Sequence, residues 1–181
     1  MKKPYELIGS CLGKDLVGKS YEQLFKYVKP LEGVSRAFKI IHADFVNTDG
    51  GTGIVHIAPT FGADDFAVAK KEGVPSILVK DKYNKLSPIV DHNGCFVDGL
   101  GPFSGRPVKA DYLDDSNQSV DIDIVVKLKN MGLCFSSEKH EHSYPHCWRT
   151  DKPILYYPLD SWFIKSTNYK DLMIKKNQEI N

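Results

Sequence analysis

Three segments of this 181-residue chain carry side chains able to do chemistry. The first is Gly51-Thr52-Gly53-Ile54-Val55-His56-Ile57-Ala58-Pro59-Thr60-Phe61-Gly62-Ala63-Asp64-Asp65. A glycine turn leads into an apolar stretch that presents His56, and a glycine loop then leads to two acids. His56 and Asp65 can reach one cavity there, and a carboxylate in it binds a cation such as a substrate ammonium. The spacing fits a plainer arrangement too, in which Asp64 or Asp65 caps a helix and His56 fills the core. The second segment runs from His140 to Thr150 and holds His140, His142, His146 and Cys147. Those residue types invite a metal, but no second cysteine pair closes a tetrahedral site, so exposed histidines and one buried thiol fit better. The third is Trp162-Phe163. Such a pair can stack on a nucleotide, although its spacing favours the end of a core strand.

The elements that must position these groups follow from pattern. Ala63 to Glu72 predicts a helix, with acids first, lysines last and Gly73 as its stop. Asn117 to Met131 predicts a second helix, with Ile122, Val125, Val126 and Lys129 on one face, Leu128 beside it and Gly132 ending it. The polar tail from Asn168 predicts a third, frayed one. Strands are expected at Tyr5 to Gly9, Ala37 to Val46, Gly53 to Ala58, Ser76 to Lys80, Leu133 to Phe135 and Ile154 to Ile164. Gly53 to Ala58 reads as buried. Asn47 to Gly51 reads as a turn, and residues 81–110 as short strands and loops. The sum is an α+β domain, rich in β structure, with two or three helices.

Composition narrows the function. Lysine plus arginine number 24 and aspartate plus glutamate 23, giving a net charge of +1. That argues against a polybasic or acidic tail protein. The scattered lysines imply weak, salt-sensitive binding of any nucleic acid. No apolar run reaches the roughly 18 residues of a membrane span, and no signal-peptide core follows the start. The four cysteines, Cys11, Cys95, Cys134 and Cys147, are widely spaced and read as reduced thiols of a cytoplasmic protein.

Taken together and in order, these segments resemble isoleucyl-tRNA synthetases. Gly51 to Asp65 resembles the family's editing signature. Val-His-Ile-Ala-Pro around His56 resembles the isoleucyl branch rather than the valyl or leucyl ones. Ser143-Tyr144-Pro145-His146-Cys147-Trp148-Arg149, Pro153-Ile154-Leu155-Tyr156 and Ser161-Trp162-Phe163-Ile164 resemble the return toward the synthetic core. The likeness runs from Tyr5 to Asn181.

The resemblance implies a barrel-like editing domain. Residues 1–145 would be part of it, and residues 146–181 would be the return segment. It implies hydrolysis of valine from mischarged tRNA(Ile) by direct water attack, with no side chain as nucleophile. One missing methylene gives a synthetic site too little discrimination, and this family is the standing illustration of that limit. Asp65 would hold the substrate ammonium and His56 would line the pocket. The backbone of Gly53, Ile54 and Val55 would meet the terminal adenosine or the ester. The implied partners are the tRNA(Ile) acceptor end, its valine moiety and the rest of the synthetase, with no membrane.

Three departures shape expectation. The signatures of the synthetic site, His-Ile-Gly-His and Lys-Met-Ser-Lys-Ser, do not occur, so no cofactor is expected here, ATP and magnesium belonging to that site. The family's threonine-rich peptide is also absent, since no threonine precedes Thr48. Weak or absent editing in isolation follows, and a non-catalytic module binding the acceptor end is the alternative. Cys147-Trp148-Arg149-Thr150 breaks the Cys-x-x-Cys found in some members, so no zinc is expected.

Overall fold

The structure is a computed structural model that describes residues 4–49, 52–112, 120–139 and 141–180. Three α-helices and one two-stranded sheet stand among them, joined by extended segments and single helical turns.

Helix α1 spans Ala63–Glu72. Asp64 and Asp65 lie in its first turn and Lys70 and Lys71 in its last, both favourable to the helix dipole. Gly73 ends it at φ 69°, a left-handed cap that glycine adopts without steric cost. The Arg36 side chain lies so close that a Cβ on Gly73 would stand 2.6 Å from its Nη1.

Strands β1 (Leu78–Lys80) and β2 (Leu86–Pro88) form an antiparallel hairpin, with Val79 opposite Ser87. Asp81 shapes the turn between them: its Oδ1 accepts the N–H groups of Tyr83 and Lys85, both at 2.8 Å. Asp91 repeats the device one turn on, accepting from Asn93 at 2.9 Å and Cys95 at 2.8 Å. Val90 bridges Phe96 and Cys95 bridges Pro107 on either side of that turn.

Helix α2 spans Val120–Asn130; the expected start at Asn117 to Ser119 lies outside the described residues. Its packing face differs from expectation. Val120 is buried and Ile124 packs against the core, whereas Ile122 and Val126 face solvent. Asp123, flanking Ile124, accepts a 2.6 Å bond from Arg106, which turns that face inward. The core gathers Leu100, Phe103 and Val120, with Tyr27, Phe96 and Ile124 against them. Phe103 sits edge-on to Phe25 and Tyr27, with ring centroids 5.8 and 6.2 Å away. Helix α3 spans Lys170–Gln178, after a single turn over Ser166–Tyr169, and is exposed throughout.

The α+β class holds, but among the described residues no sheet closes into a barrel. Of the expected strands, Ser76 to Lys80 yields β1, and the short strands expected in residues 81–110 include β2. Tyr5 to Gly9, Leu133 to Phe135 and Ile154 to Ile164 pair with nothing as strands, and Ala37 to Val46 contributes one bridge, Lys39 to Ser20. Gly53 to Ala58 is neither a strand nor buried, with Ile54 63% and Val55 51% exposed. Trp162 and Phe163 are fully exposed rather than the end of a core strand. The total accessible surface, 15181 Å², far exceeds the roughly 9,000 Å² of a compact monomer of this mass, so much apolar surface lies uncovered. No helix among the described residues is long and apolar enough to cross a membrane.

Candidate functional site

The approach to α1 is built from three backbone features. Asn47 and Thr48 turn the chain, with the Asp49 N–H donating to Asn47 Oδ1 at 3.1 Å; Gly50 and Gly51 lie outside the described residues. Gly53 then takes φ 70°, where a Cβ would meet Thr48 Cγ2 at 3.0 Å. The Ile54 N–H donates to Thr52 Oγ1 at 3.3 Å, holding the start of the segment.

The segment is tied to α1 by one charged hydrogen bond. The Ala58 N–H donates to Asp65 Oδ2 at 2.9 Å. Pro59 forces a change of direction and the Phe61 N–H returns to the Ala58 carbonyl at 3.0 Å. Asp65 thus bonds backwards across the loop and does not cap the helix, whose N-cap is Gly62. Gly62 is needed for space and not for its extended φ of −159°: a Cβ there would stand 2.8 Å from Asp65 Oδ2. Asp65 is half-buried and Asp64 exposed, which separates the two acids. The second carboxylate oxygen of Asp65 has no hydrogen-bond partner among the described residues. One oxygen is fixed and the other can accept from an ammonium.

His56 lies on the same segment. It is exposed, so it does not fill the core. Ile54 and Val55 flank it in solvent. The structure therefore brings Asp65 to the Gly53–Ala58 segment through the Ala58 amide and leaves the histidine beside it open.

Two residues that pattern reading missed adjoin the loop. The Phe61 ring lies 6.3 Å from that of Tyr157, and Tyr157 donates its hydroxyl proton to the Val90 carbonyl at 2.9 Å. Burial, with the nearby Asp91 charge, raises the Tyr157 phenol above its ordinary range. One of two adjacent tyrosines, Tyr156 and Tyr157, carries no sequence signal for such a role. Ala58 acts through its backbone, which composition cannot reveal.

The histidine–cysteine segment forms a tight turn. The Cys147 N–H donates to the Lys152 carbonyl and the Asp151 N–H to the Cys147 carbonyl, each at 2.8 Å. His142 and His146 bond to the carbonyls of Ser143 and Tyr144, while His140 lies outside the described residues. Hydrogen bonds from the Thr150 hydroxyl, and from the backbone of Arg149 and Thr150, lower the Cys147 thiol.

No family model matches the chain. Isoleucine–tRNA ligases of Cytophaga hutchinsonii, Bacteroides fragilis and Thermoplasma volcanium are 50%, 48% and 42% identical to it, each over 98% of this chain. The chain spans 17%, 17% and 15% of the length of these relatives. Nearly all of the chain is thus similar to one segment of isoleucine–tRNA ligases.

Proposed function

We propose that this chain carries editing chemistry: hydrolysis of the aminoacyl ester of valine attached to tRNA(Ile), in the cytoplasm. The observation that supports it most is the Asp65 carboxylate, anchored through one oxygen to the Ala58 N–H and open at the other. An anchored carboxylate holds a substrate ammonium at a fixed distance from the ester, and positioning supplies rate. The partners are the acceptor end, the valine moiety and the remainder of the ligase. No nucleophilic side chain is assigned, so a positioned water attacks the ester carbonyl. Its oxygen bonds to the carbonyl carbon, the ribose oxygen leaves with a proton, and free valine and tRNA result.

A second reading has its own support. His56, Ile54 and Val55, on the segment tied to the anchored acid, are exposed to solvent. An open face of this kind suits a module that holds the acceptor end without hydrolysing it. Valine release from valyl-tRNA(Ile), measured with the chain in excess, separates the two. Slow release that falls to background in Asp65→Ala supports hydrolysis; unchanged tRNA with retained binding supports the module.

A further inference from the structure

Asp65 is held by its own loop, and the loop in turn is held by a residue distant in sequence. Two bonds shape it: the Ala58 N–H to Asp65 Oδ2 at 2.9 Å, and the Phe61 N–H to the Ala58 carbonyl at 3.0 Å. Both are local, so they set the form of the loop and not its place against the rest of the fold. Phe61 is the side chain that reaches outward. Its ring is tilted 56° against that of Tyr157, with centroids 6.3 Å apart, within the usual range of an attractive aromatic pair.

Tyr157 is fixed on its other sides. Its hydroxyl donates to the Val90 carbonyl at 2.9 Å, and its ring stands 5.3 Å from that of His92. Val90 is buried and bridges Phe96, which packs against Leu100 and Phe103 in the core. Burial, with the Asp91 charge, raises the phenol, so the hydroxyl keeps its proton and the bond to Val90 persists through neutral pH. Tyr156, its neighbour in the chain, is 62% exposed.

A line of contacts therefore runs from the core through Val90, Tyr157 and Phe61 to Ala58 and the Asp65 carboxylate. We infer that Tyr157 is a positioning residue for Asp65: its ring, pinned by Val90, seats Phe61 and so aims the carboxylate that the loop carries. The inference deepens the editing reading and rests on it for the reaction that Asp65 serves. Tyr157 itself makes and breaks no bond. A misplacement of about 1 Å costs up to ~100-fold in rate, so loosening the seat lowers kcat more than it changes KM.

Tyr157→Leu, Tyr157→Phe and Tyr156→Leu in the whole chain test this with two measurements. Amide hydrogen exchange needs no tRNA. Tyr157→Leu is expected to speed exchange at Ala58 about tenfold, with the amides of α2 within about twofold of the parent. In valine release from valyl-tRNA(Ile), the same variant lowers kcat about tenfold and leaves KM within about twofold. Tyr157→Phe keeps the ring and restores most of both, and Tyr156→Leu matches the parent. Unchanged exchange at Ala58 in Tyr157→Leu overturns the inference, whatever the release assay reads. Exchange that rises equally at Ala58 and in α2 also overturns it, because Tyr157 then supports the whole fold and not this loop. So does an unchanged kcat beside faster Ala58 exchange, or a Tyr157→Phe variant as impaired as Tyr157→Leu. Local exchange that responds to Tyr157 when the parent itself releases no valine refutes the editing reading and keeps the tie between Tyr157 and the Asp65 loop.

Discussion

Asp65 Oδ2 lies 2.9 Å from the Ala58 amide nitrogen, so one carboxylate oxygen closes the loop at the start of α1. The same oxygen passes close over Gly62, where a Cβ would stand 2.8 Å away. Gly62→Ala is expected to push the carboxylate off the amide. The cost is about 1–3 kcal/mol, that of a half-buried N–H left without its charged acceptor. Faster hydrogen exchange at the Ala58 amide reads the effect, and exchange as slow as in the parent would contradict it.

The two adjacent acids differ in consequence. Asp65→Ala removes the anchor and destabilises the chain by about 1–3 kcal/mol. Asp64→Ala, at an exposed position, stays within about 0.5 kcal/mol. Asp65→Asn keeps an acceptor for Ala58 but loses the charge for an ammonium, so it should retain most stability and lose valine release. Chemical denaturation and a deacylation assay on the three variants measure both.

Helix α2 offers a test of its facing. Ile124 packs on the core while Ile122 points to solvent. Ile124→Ala should cost about 2 kcal/mol, the low end for a large-to-small core change. Ile122→Ala should cost less than about 0.5 kcal/mol. Equal losses in denaturant midpoints would mean that the helix is rotated.

Cys147 and Cys95 should react differently. Hydrogen bonds from Thr150 and Arg149 lower the Cys147 thiol, whereas burial and the Asp91 charge raise that of Cys95. The thiolate is the reactive form, so alkylation of Cys147 sets in at lower pH than that of Cys95. Thr150→Val removes the largest cause and moves the Cys147 onset upward. Mass spectrometry of iodoacetamide adducts against pH reads both, and coincident onsets would refute the assignment.

Local signals were legible in the sequence and non-local ones were not. Helix α1 follows from acids first, lysines last and Gly73, all within one segment. The Asn47 turn reads the same way. The strands misled because β-branched residues favour an extended backbone, whereas a strand needs a partner edge that the pattern does not identify. Gly53 to Ala58 is extended without such an edge, so His56 is exposed and not enclosed. The α2 face misled because Ile122 and Ile124 are equally apolar, and the choice falls to Arg106, which is distant in sequence from its partner Asp123. Asp65 stands in a glycine-loop motif that is visible in the sequence, while its Ala58 anchor is a backbone group and Tyr157 reaches the loop from the far end of the chain.

The most direct test of the central claim is single-turnover release of valine from valyl-tRNA(Ile), by the chain and by Asp65→Ala. Slow release by the parent, at least tenfold slower release by the variant, and isoleucyl-tRNA(Ile) left intact by both are the expected results. Equal release by parent and variant, or none above the uncatalysed rate, would contradict it.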